Sequence, residues 1–468
     1  MSQIHRRIRR QARILRMLAT LLLAAAAVPS TARAQDIDDR VRQLEEQVAE
    51  LRGLLEAREN ADLAEIRRQI EAITTEIEML RLGTDLVRAE RSRFGFGPAA
   101  SKVYSSPHGV SLGGYGETLY ENFSAEREDG SPSSARDQLD VLRAIVYAGY
   151  KFDDRFLFNS EIEFEHASTG SAGSASIEFA YLDYLFSDRA GIRAGLVLLP
   201  LGFLNELHEP TTWLGTERPV VESRIIPSTW RESGIGVFAE FDGLEIRGFL
   251  VNGLDAVGGG SSEAGGFSSA GIRGGRQKGS KAVAEDFGFA ARADYSGVPG
   301  LSFGLSGYIG ESGQGAENPL RPGEELGVRT LIAEGHAAYK ANGWDLRALA
   351  ASADISDVAA LNTVRGLVGS ESVGERLTGW YVHAGFDVLR SVDTRVELIP
   401  YVRYESVNTQ ADVPLGFSAD PANDLEIWTI GAAVRPIPRI VLKADYQLQS
   451  NQARTGVNQF DLSLGYIF

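Results

Sequence analysis

Apolar and polar residues alternate along most of the chain from residue 109 onward. In the segment 141–152, Leu142, Ala144 and Val146 share one face, whereas Arg143 and Tyr147 share the other. Side chains of a β-strand point alternately to opposite faces, so each such segment predicts a strand with an apolar side and a polar side. The predicted strands are 109–123, 139–152, 155–166, 175–187, 191–200, 232–241, 244–252, 285–296, 300–311, 328–341, 343–354, 375–389, 394–407, 425–436, 438–449 and 456–468.

Short and long connections alternate between these strands. The short ones carry turn residues, as in Asp153-Asp154, Asp242-Gly243 and Asn342-Gly343, while segments such as 124–138 and 253–284 are much longer. This asymmetry is typical of a transmembrane β-barrel with short periplasmic turns and long external loops. A soluble β-sandwich or propeller explains the even strand count less well. The predicted fold is therefore all-β: a 16-stranded antiparallel transmembrane β-barrel over 109–468, preceded by an N-terminal α-helical coiled coil.

The coiled coil is predicted over residues 35–83, where apolar residues recur every three or four positions. One register contains Ile37, Val41, Leu44, Val48, Leu51 and Leu55, and a second contains Leu63, Ile66, Ile70, Ile73, Ile77 and Leu80. Isoleucine at both core positions of the second register favours a coiled coil of three or more helices. The alternative is a single amphipathic helix on the protein's own surface. Residues 84–108, which include GFGP and SSP, are predicted to form a linker.

The first 34 residues have the three parts of a secretory signal peptide. Seven arginines without an acidic residue accompany an apolar stretch at Leu18–Val28 and the site Ala32-Arg33-Ala34. The apolar stretch is too short to span a bilayer as a helix. The chain has 468 residues, no cysteine and a formal net charge of −16, which excludes a disulfide framework and argues against a nucleic-acid partner.

The connection 201–231 combines three prolines with dense charge and large apolar side chains. A connection of this length inside an ordered domain is commonly functional. Residues such as Phe203, Trp213, Ile226 and Trp230 need a surface to pack against, so we predict that the connection folds into the barrel lumen and narrows it. An external lid or a subunit contact is the alternative.

The candidate pore residues carry both signs of charge. The predicted constriction comprises Glu206, His208, Glu209, Glu217, Arg218, Glu222, Arg224 and Arg231, and the predicted basic lining comprises Arg143, Arg193, Arg247, Arg292, Arg347, Arg395, Arg403 and Lys443. Acidic residues, among them Glu161, Glu163 and Asp445, share the lumen-facing positions. Opposed charges would produce a transverse field, whereas a ring of one sign would select ions.

Other chemistry is weakly supported by the sequence. His208-Glu209 is half of a zinc motif, but no second histidine follows at helical spacing, so no metal and no cofactor are expected. With six histidines in the chain and no convincing Ser/His or Asp/His set, a barrel-borne hydrolase is set aside and an enzyme is not expected. The Gly/Ser-rich segment 258–281 is predicted to be a flexible, solvated external loop.

The final residues carry a resemblance. Phe460, Leu462, Leu464, Tyr466 and Phe468 alternate and end the sequence on an aromatic residue. This strand resembles the signal that bacterial outer-membrane barrels present to their assembly machinery, with Tyr466 and Phe468 as its key residues. Together with the signal peptide, the coiled coil and the long loop after the fifth strand, the pattern resembles a trimeric outer-membrane porin. Gly113–Glu117 and the segment 200–236 are most similar to the phosphate-selective porin O and P type.

This resemblance implies a function and a set of partners. The expected protein is a porin for passive diffusion of small hydrophilic solutes or ions, in the bacterial outer membrane, with its coiled coil in the periplasm. The expected partners are membrane lipid, two further copies in a homotrimer and the barrel assembly machinery, with peptidoglycan as a further candidate for the coiled coil. The mixed charges of 201–231 depart from the basic constriction of the phosphate-selective type, so phosphate specificity is not predicted. The alternative is a barrel-anchored protein that tethers the envelope through its coiled coil.

Overall fold

The computed structural model describes residues 33–56, 92–170, 173–260 and 263–468. Its sixteen strands agree with the predicted ones to within a few residues. They are β1 (Gly109–Phe123), β2 (Gln138–Lys151), β3 (Phe156–Glu165), β4 (Ser174–Ser187), β5 (Ala190–Leu198), β6 (Arg231–Phe241), β7 (Leu244–Asn252), β8 (Phe287–Val298), β9 (Leu301–Glu311), β10 (Arg329–Ala341), β11 (Trp344–Ile355), β12 (Arg376–Phe386), β13 (Glu397–Asp412), β14 (Asp424–Ile437), β15 (Ile440–Asn451) and β16 (Gln459–Ile467).

The strands form one closed sheet in which each pairs with its sequence neighbours. β1 closes the barrel by pairing antiparallel with β16, from Tyr115 opposite Ile467 to Phe123 opposite Gln459. Closure gives every strand two hydrogen-bonded neighbours, which is what a sheet needs in lipid. At the turn between β10 and β11, Asn342 and Gly343 both have positive φ, of 54° and 84°, as the tight hairpin turn with the matching twist requires. The 16-stranded antiparallel barrel predicted from the sequence is thus confirmed.

The outer face of the barrel is apolar. Large side chains such as Val110, Leu305 and Ile430 point outward and are exposed, forming a surface far larger than a water-soluble monomer tolerates. Aromatic side chains cluster near both ends of the strands. Ring pairs near the short turns are Phe156–Tyr184, Tyr295–Phe303 and Trp344–Phe386, with centroids 4.8, 5.4 and 4.8 Å apart, and pairs nearer the long loops are Trp380–Tyr404 and Tyr404–Trp428, at 5.3 and 4.7 Å. Two aromatic girdles around an apolar band are what a membrane-facing barrel requires.

Helices are few among the described residues. Helix α1 (Arg33–Glu56) contains the first predicted heptad register and belongs to a unit separate from the barrel. The predicted signal peptide, apart from Arg33 and Ala34, and residues 57–83 of the predicted coiled coil lie outside the described residues. None of the described helices is long and apolar enough to cross a membrane. The remaining helices are α2 (Lys102–Ser105), α3 (Val221–Arg224) and α4 (Val358–Arg365), with 3₁₀ turns at Arg273–Gly275, Gly369–Glu371 and Pro421–Asn423.

Residues 92–108, assigned by sequence to a linker, pack inside the barrel instead. Phe94, Phe96, Val103 and Tyr104 are buried, and α2 lies against β1, β2 and β3. At Gly149 of β2 an added Cβ would stand 2.7 Å from the side chain of Val103, so the wall is thinned to admit the helix. We call residues 92–108 the inner segment.

The connection between β5 and β6 also lies inside the barrel. We call residues 199–230 the luminal loop. Its apolar side chains, including Leu204, Trp213 and Trp230, are buried. The connection between β7 and β8 packs against it, since Arg276 donates hydrogen bonds to the carbonyls of Ser228 and Thr229, both at 2.9 Å. In the described part of 258–281, Phe267 and Ile272 are buried. This segment is therefore packed against the luminal loop, which corrects the prediction of a flexible, solvated loop.

Candidate functional site: the filled lumen

The luminal loop reaches strands on the far side of the barrel from its own ends. Thr216 donates from its backbone N–H and its hydroxyl to Asp445 of β15, at 2.7 and 2.9 Å. The backbone N–H of Val220 donates to Glu405 of β13 at 2.6 Å. Each contact joins a loop residue to an inward-facing strand residue, so the loop crosses the lumen.

Near its own strands the loop is held by ion pairs. The carboxylate of Glu206 lies 3.0 Å from Arg247 of β7, and the imidazole of His208 lies 3.1 Å from Glu161 of β3. Arg231, at the start of β6, lies 2.9 Å from Glu178 of β4. All of these side chains are buried. Removal of either partner would therefore leave a buried charge without its counterion, which is strongly destabilising.

Glu209 joins the luminal loop to the inner segment. One of its carboxylate oxygens accepts hydrogen bonds from the backbone N–H groups of Ala99 and Ala100, at 2.8 and 3.0 Å. The two chain segments that fill the lumen thus meet at one carboxylate.

Arg193 of β5, predicted to line the pore, instead fixes the inner segment. Its guanidinium makes two hydrogen bonds to Asp183, at 2.9 and 3.0 Å, and a third to the Tyr104 hydroxyl at 2.7 Å. It also stacks on Phe96 and Tyr181, 4.6 and 4.1 Å from the ring centroids. Arg193 is 1% exposed, so it is a structural anchor.

Most of the other predicted lining residues are paired with acidic neighbours. The pairs are Arg143 with Glu117 at 3.6 Å, Arg247 with Asp294 at 2.7 Å, Arg292 with Asp294 at 2.7 Å, Arg347 with Asp345 at 2.9 Å and Arg403 with Glu405 at 2.8 Å. The ammonium of Lys443 lies 3.8 Å from the centre of the Trp213 indole. Arg395 is exposed and precedes β13.

The remaining constriction candidates differ in how tightly they are held. Glu222 accepts hydrogen bonds from the Tyr381 hydroxyl and the Leu204 N–H, at 2.6 and 2.7 Å. Glu217 accepts one from Gln447 at 3.2 Å. Arg218 and Arg224 are half-buried, and the NH2 group of Arg218 makes no hydrogen bond to any described residue.

Burial shifts the titration of several loop side chains. Burial raises the pKa of Glu209 to about 7, and burial together with the charge of Asp461 raises that of Glu217 to about 7. Burial alone would lower the pKa of His208, but the carboxylates of Glu161 and Glu178 outweigh it and raise the pKa to about 10. These two carboxylates therefore favour the imidazolium form of His208.

A cavity of about 1010 Å³ remains between the inner segment and the luminal loop, toward the end of the barrel that carries the short turns. The luminal loop borders it at Phe203 and Glu206, and the inner segment borders it at Arg93 and Phe94. Basic side chains along its walls outnumber acidic ones by seven to four. They are Arg93, Arg247, Arg292, Lys340, Arg347, Arg395 and Arg439, against Glu206, Glu245, Asp294 and Asp345.

Sequence reasoning missed the inner segment and Glu178. Four large apolar residues within Phe94–Tyr104 were a signal, because a solvated linker has no need of them. Glu178 stands in β4 between apolar neighbours, and its partners His208 and Arg231 become visible only when the loop is folded inward.

A closed sixteen-stranded sheet with an apolar exterior, a charged interior and an inserted loop defines the chain as a transmembrane β-barrel of the porin type. No protein-family model matches the sequence. The chain belongs to the same family as an uncharacterized protein of Aquifex aeolicus (strain VF5), to which it is 38% identical over 376 residues, 78% of this chain and 82% of that protein.

Solved outer-membrane proteins overlap with this chain only loosely. The OmpF complex of Salmonella typhi with daunomycin is 15% identical, with a TM-score of 0.49, over 77% of this chain and 97% of that one. The trimer form of Vibrio cholerae OmpT is 12% identical, with a TM-score of 0.48, over 77% and 100%. The channel DcaP of Acinetobacter baumannii is 12% identical, with a TM-score of 0.47, over 77% and 97%. Overlaps of this size carry no argument about function.

Proposed function

We propose that the protein is an outer-membrane porin, a water-filled channel for passive diffusion of small hydrophilic solutes or ions. The observation that supports this most directly is the luminal loop, which hydrogen-bonds to inward-facing residues on opposite walls. A solute that crosses the barrel must pass the space that this loop leaves open. The constriction is formed by Glu206, His208, Glu209, Glu217, Arg218, Glu222, Arg224 and Arg231.

Conductance across planar lipid bilayers tests this proposal. Purified protein is expected to insert as stepwise, long-lived channels of low conductance, since two chain segments occupy the lumen. A protein that folds into bilayers, as judged by β-rich circular dichroism, and never conducts would end the proposal.

The ion preference is expected to follow the balance of charged side chains that a solute meets in the lumen. The cavity walls carry an excess of basic side chains, and Arg218 and Arg224 stand on the loop itself, so a modest preference for anions is proposed. The reversal potential in a salt gradient measures it. Arg218→Glu or Arg224→Glu is expected to shift the preference toward cations. Unchanged selectivity in both variants would mean that this loop does not line the path.

The proposal does not extend to phosphate. The likeness to the phosphate-selective porin O and P type rests on sequence pattern. A phosphate site needs basic groups that are not already neutralised, whereas Arg292, Arg347 and Arg403 each lie within 3 Å of a carboxylate. Competition of phosphate with chloride current is therefore expected to be weak.

Assembly and envelope contacts complete the proposal. The heptads of 35–83 support a homotrimer and a periplasmic location for this segment, and the alternating C-terminal strand supports recognition of Tyr466 and Phe468 by the barrel assembly machinery. An envelope tether that contacts peptidoglycan is the second candidate function, favoured by the helical state of Arg33–Glu56. Deletion of 36–82 tests the tether. If the coiled coil tethers the envelope, the deletion should weaken the attachment of the outer membrane and leave its permeability nearly unchanged.

A further inference from the structure

Three buried side chains converge where the luminal loop meets the barrel wall near its own strands. His208 Nε2 lies 3.1 Å from Glu161 Oε1 and 3.3 Å from Glu178 Oε2. One ligand-type atom from each of the three residues lies within 4.8 Å of the other two. None of the three is more than 3% exposed.

The histidine is held in a fixed orientation by the loop itself. His208 Nδ1 lies 3.0 Å from the backbone carbonyl of Asn205, so Nδ1–H donates there and Nε2 faces the two carboxylates. Asn205 is locked in turn, because its side chain bonds the Leu199 carbonyl and both the N–H and the carbonyl of Trp230. A backbone carbonyl on the far nitrogen is one of the usual supports of a metal-binding histidine.

The carboxylates are also oriented with oxygens to spare. Glu178 Oε1 accepts hydrogen bonds from Thr229 and Arg231, at 2.7 and 2.9 Å, which leaves Oε2 directed toward His208. Glu178 Oε2 and Glu161 Oε2 are buried and accept no hydrogen bond from any residue that the structure describes. Glu178 Oε2 does lie within ion-pair distance of His208 Nε2, at 3.3 Å. Buried carboxylate oxygens that accept no hydrogen bond are costly, and a bound cation is one way in which they are satisfied.

The spacing of the three groups fits a small transition-metal ion. Bonds of about 2.0–2.2 Å to nitrogen and oxygen in a tetrahedron place neighbouring ligand atoms about 3.3–3.6 Å apart. The two distances from Nε2 are at or just below this range, so small side-chain movements would complete the geometry. One imidazole with two carboxylates suits zinc better than calcium or magnesium, which prefer a shell made of oxygen alone.

We propose that Glu161, Glu178 and His208 bind one divalent transition-metal ion of the zinc class, which joins the luminal loop to β3 and β4. The fourth position is open to water. The inference does not depend on which solute crosses the barrel, nor on whether the barrel conducts. The same three groups without a metal would be an imidazolium held between two carboxylates, and the experiment below separates the two states.

The lumen contains a matched control. His336 of β10 is also buried among carboxylates, with Nδ1 2.8 Å from Glu334 and Nε2 2.9 Å from Asp294. These two carboxylates lie on opposite nitrogens and cannot converge on one ion. His336→Gln therefore removes a buried luminal histidine without removing the proposed site.

The full mature chain, purified in detergent with a tag that lacks histidine, is stripped with a chelator, incubated with zinc, desalted and analysed for metal. We expect about one zinc per chain for the natural protein and for His336→Gln, and a loss of most of that zinc for His208→Gln and Glu178→Gln. Failure of the natural protein to retain zinc, or retention by His208→Gln, would overturn the proposal.

A second measurement uses only the natural protein, so the test still stands if the variants do not fold. Cobalt(II) added to the stripped natural protein is expected to give the visible absorption of a four-coordinate ion, and equimolar zinc is expected to displace it. Only the weak spectrum of hydrated cobalt in a folded barrel would show the imidazolium state and refute the metal site. Conductance plays no part in either measurement, so the channel proposal can fail without affecting this one.

Discussion

The two chain segments that fill this barrel differ in the kind of contact that predominates. The inner segment lies against one sector of the wall, where Phe94 packs on Phe238 with ring centroids 4.5 Å apart and Phe96 packs on Phe179 at 5.1 Å. The luminal loop instead reaches several sectors and is fixed at each by a polar contact, such as that of Thr216 with Asp445. Apolar packing is non-directional and follows contact area, whereas charge-assisted hydrogen bonds also set position.

This difference explains where open space remains. A segment that packs through its apolar face must adhere to the wall, and the cavity of about 1010 Å³ lies beside it. A loop fixed by separate polar contacts on facing walls can span the space between them. The inner segment therefore reduces the volume of the barrel, while the loop defines its narrowest level in our proposal.

The largest expected effect comes from Arg193, the buried arginine that anchors the inner segment. Arg193→Ala leaves Asp183 buried without its cation and removes a partner of the Tyr104 hydroxyl. Loss of one partner of a buried ion pair costs about 3–5 kcal/mol. Urea unfolding in detergent should show this loss, and protease should cleave within 92–108 much faster.

An exposed arginine pair provides the control for that measurement. Arg189 lies 3.0 Å from Asp242, and the two side chains are 65% and 96% exposed. Solvent-exposed pairs contribute little, so Arg189→Ala should leave the urea midpoint unchanged. Equal effects of the two substitutions would mean that Arg193 is not the anchor of the inner segment.

A smaller effect is expected at a single polar anchor of the luminal loop. Tyr381→Phe removes the hydroxyl that donates to Glu222 at 2.6 Å, and a hydrogen bond to a charged group contributes about 1.5–3 kcal/mol. Because the loop has other anchors, the barrel should still fold, with faster proteolysis between 201 and 231. The same hydroxyl removed from exposed Tyr446 should change neither quantity. Loss of the whole fold in Tyr381→Phe would show that the loop is not held independently at several points.

The barrel and the inward loop could be predicted because each leaves a pattern in the sequence. In a segment such as 141–152, apolar residues that face lipid alternate with polar residues that face the lumen. The apolar residues of 201–231 required an interior surface to pack against. The inner segment gave a weaker signal, because Gly95, Gly97 and Pro98 are typical of linkers. The two glycines let the backbone approach Arg247 and Glu209 closely.

The charge pairs of the lumen could be predicted only as a class. The sequence places Glu161 and Arg193 on inward faces, but their partners depend on how the loop and the inner segment fold. His208 next to Glu209 suggested half of a motif within one helix. The structure instead places His208 beside Glu161 and Glu178, which come from two strands more than 25 residues earlier in the chain. Contacts of this kind follow from tertiary structure and have no local periodicity.

The effect expected at Glu209, where the luminal loop meets the inner segment, depends on pH and disappears in acid. Its pKa is raised from its ordinary value of 4.5 to about 7 by burial, so the folded protein binds this proton more tightly than the unfolded chain does. The corresponding stability is fully present below about pH 4.5 and is lost as the pH rises through about 7. Glu209→Gln removes this dependence, since the glutamine carbonyl can still accept from Ala99 and Ala100 at every pH.

The difference in unfolding free energy between Glu209→Gln and the natural protein should therefore favour the variant increasingly from pH 5 to pH 8, by about 2–3 kcal/mol, since one pKa unit corresponds to about 1.4 kcal/mol. Urea midpoints at several pH values measure it, and Glu126→Gln at an exposed loop position serves as the control. A difference that is constant with pH would show that Glu209 stays charged, with the positive charge of His208 compensating for burial. In that case the junction between the luminal loop and the inner segment would be an ionised carboxylate that accepts from the backbone N–H groups of Ala99 and Ala100 at every pH.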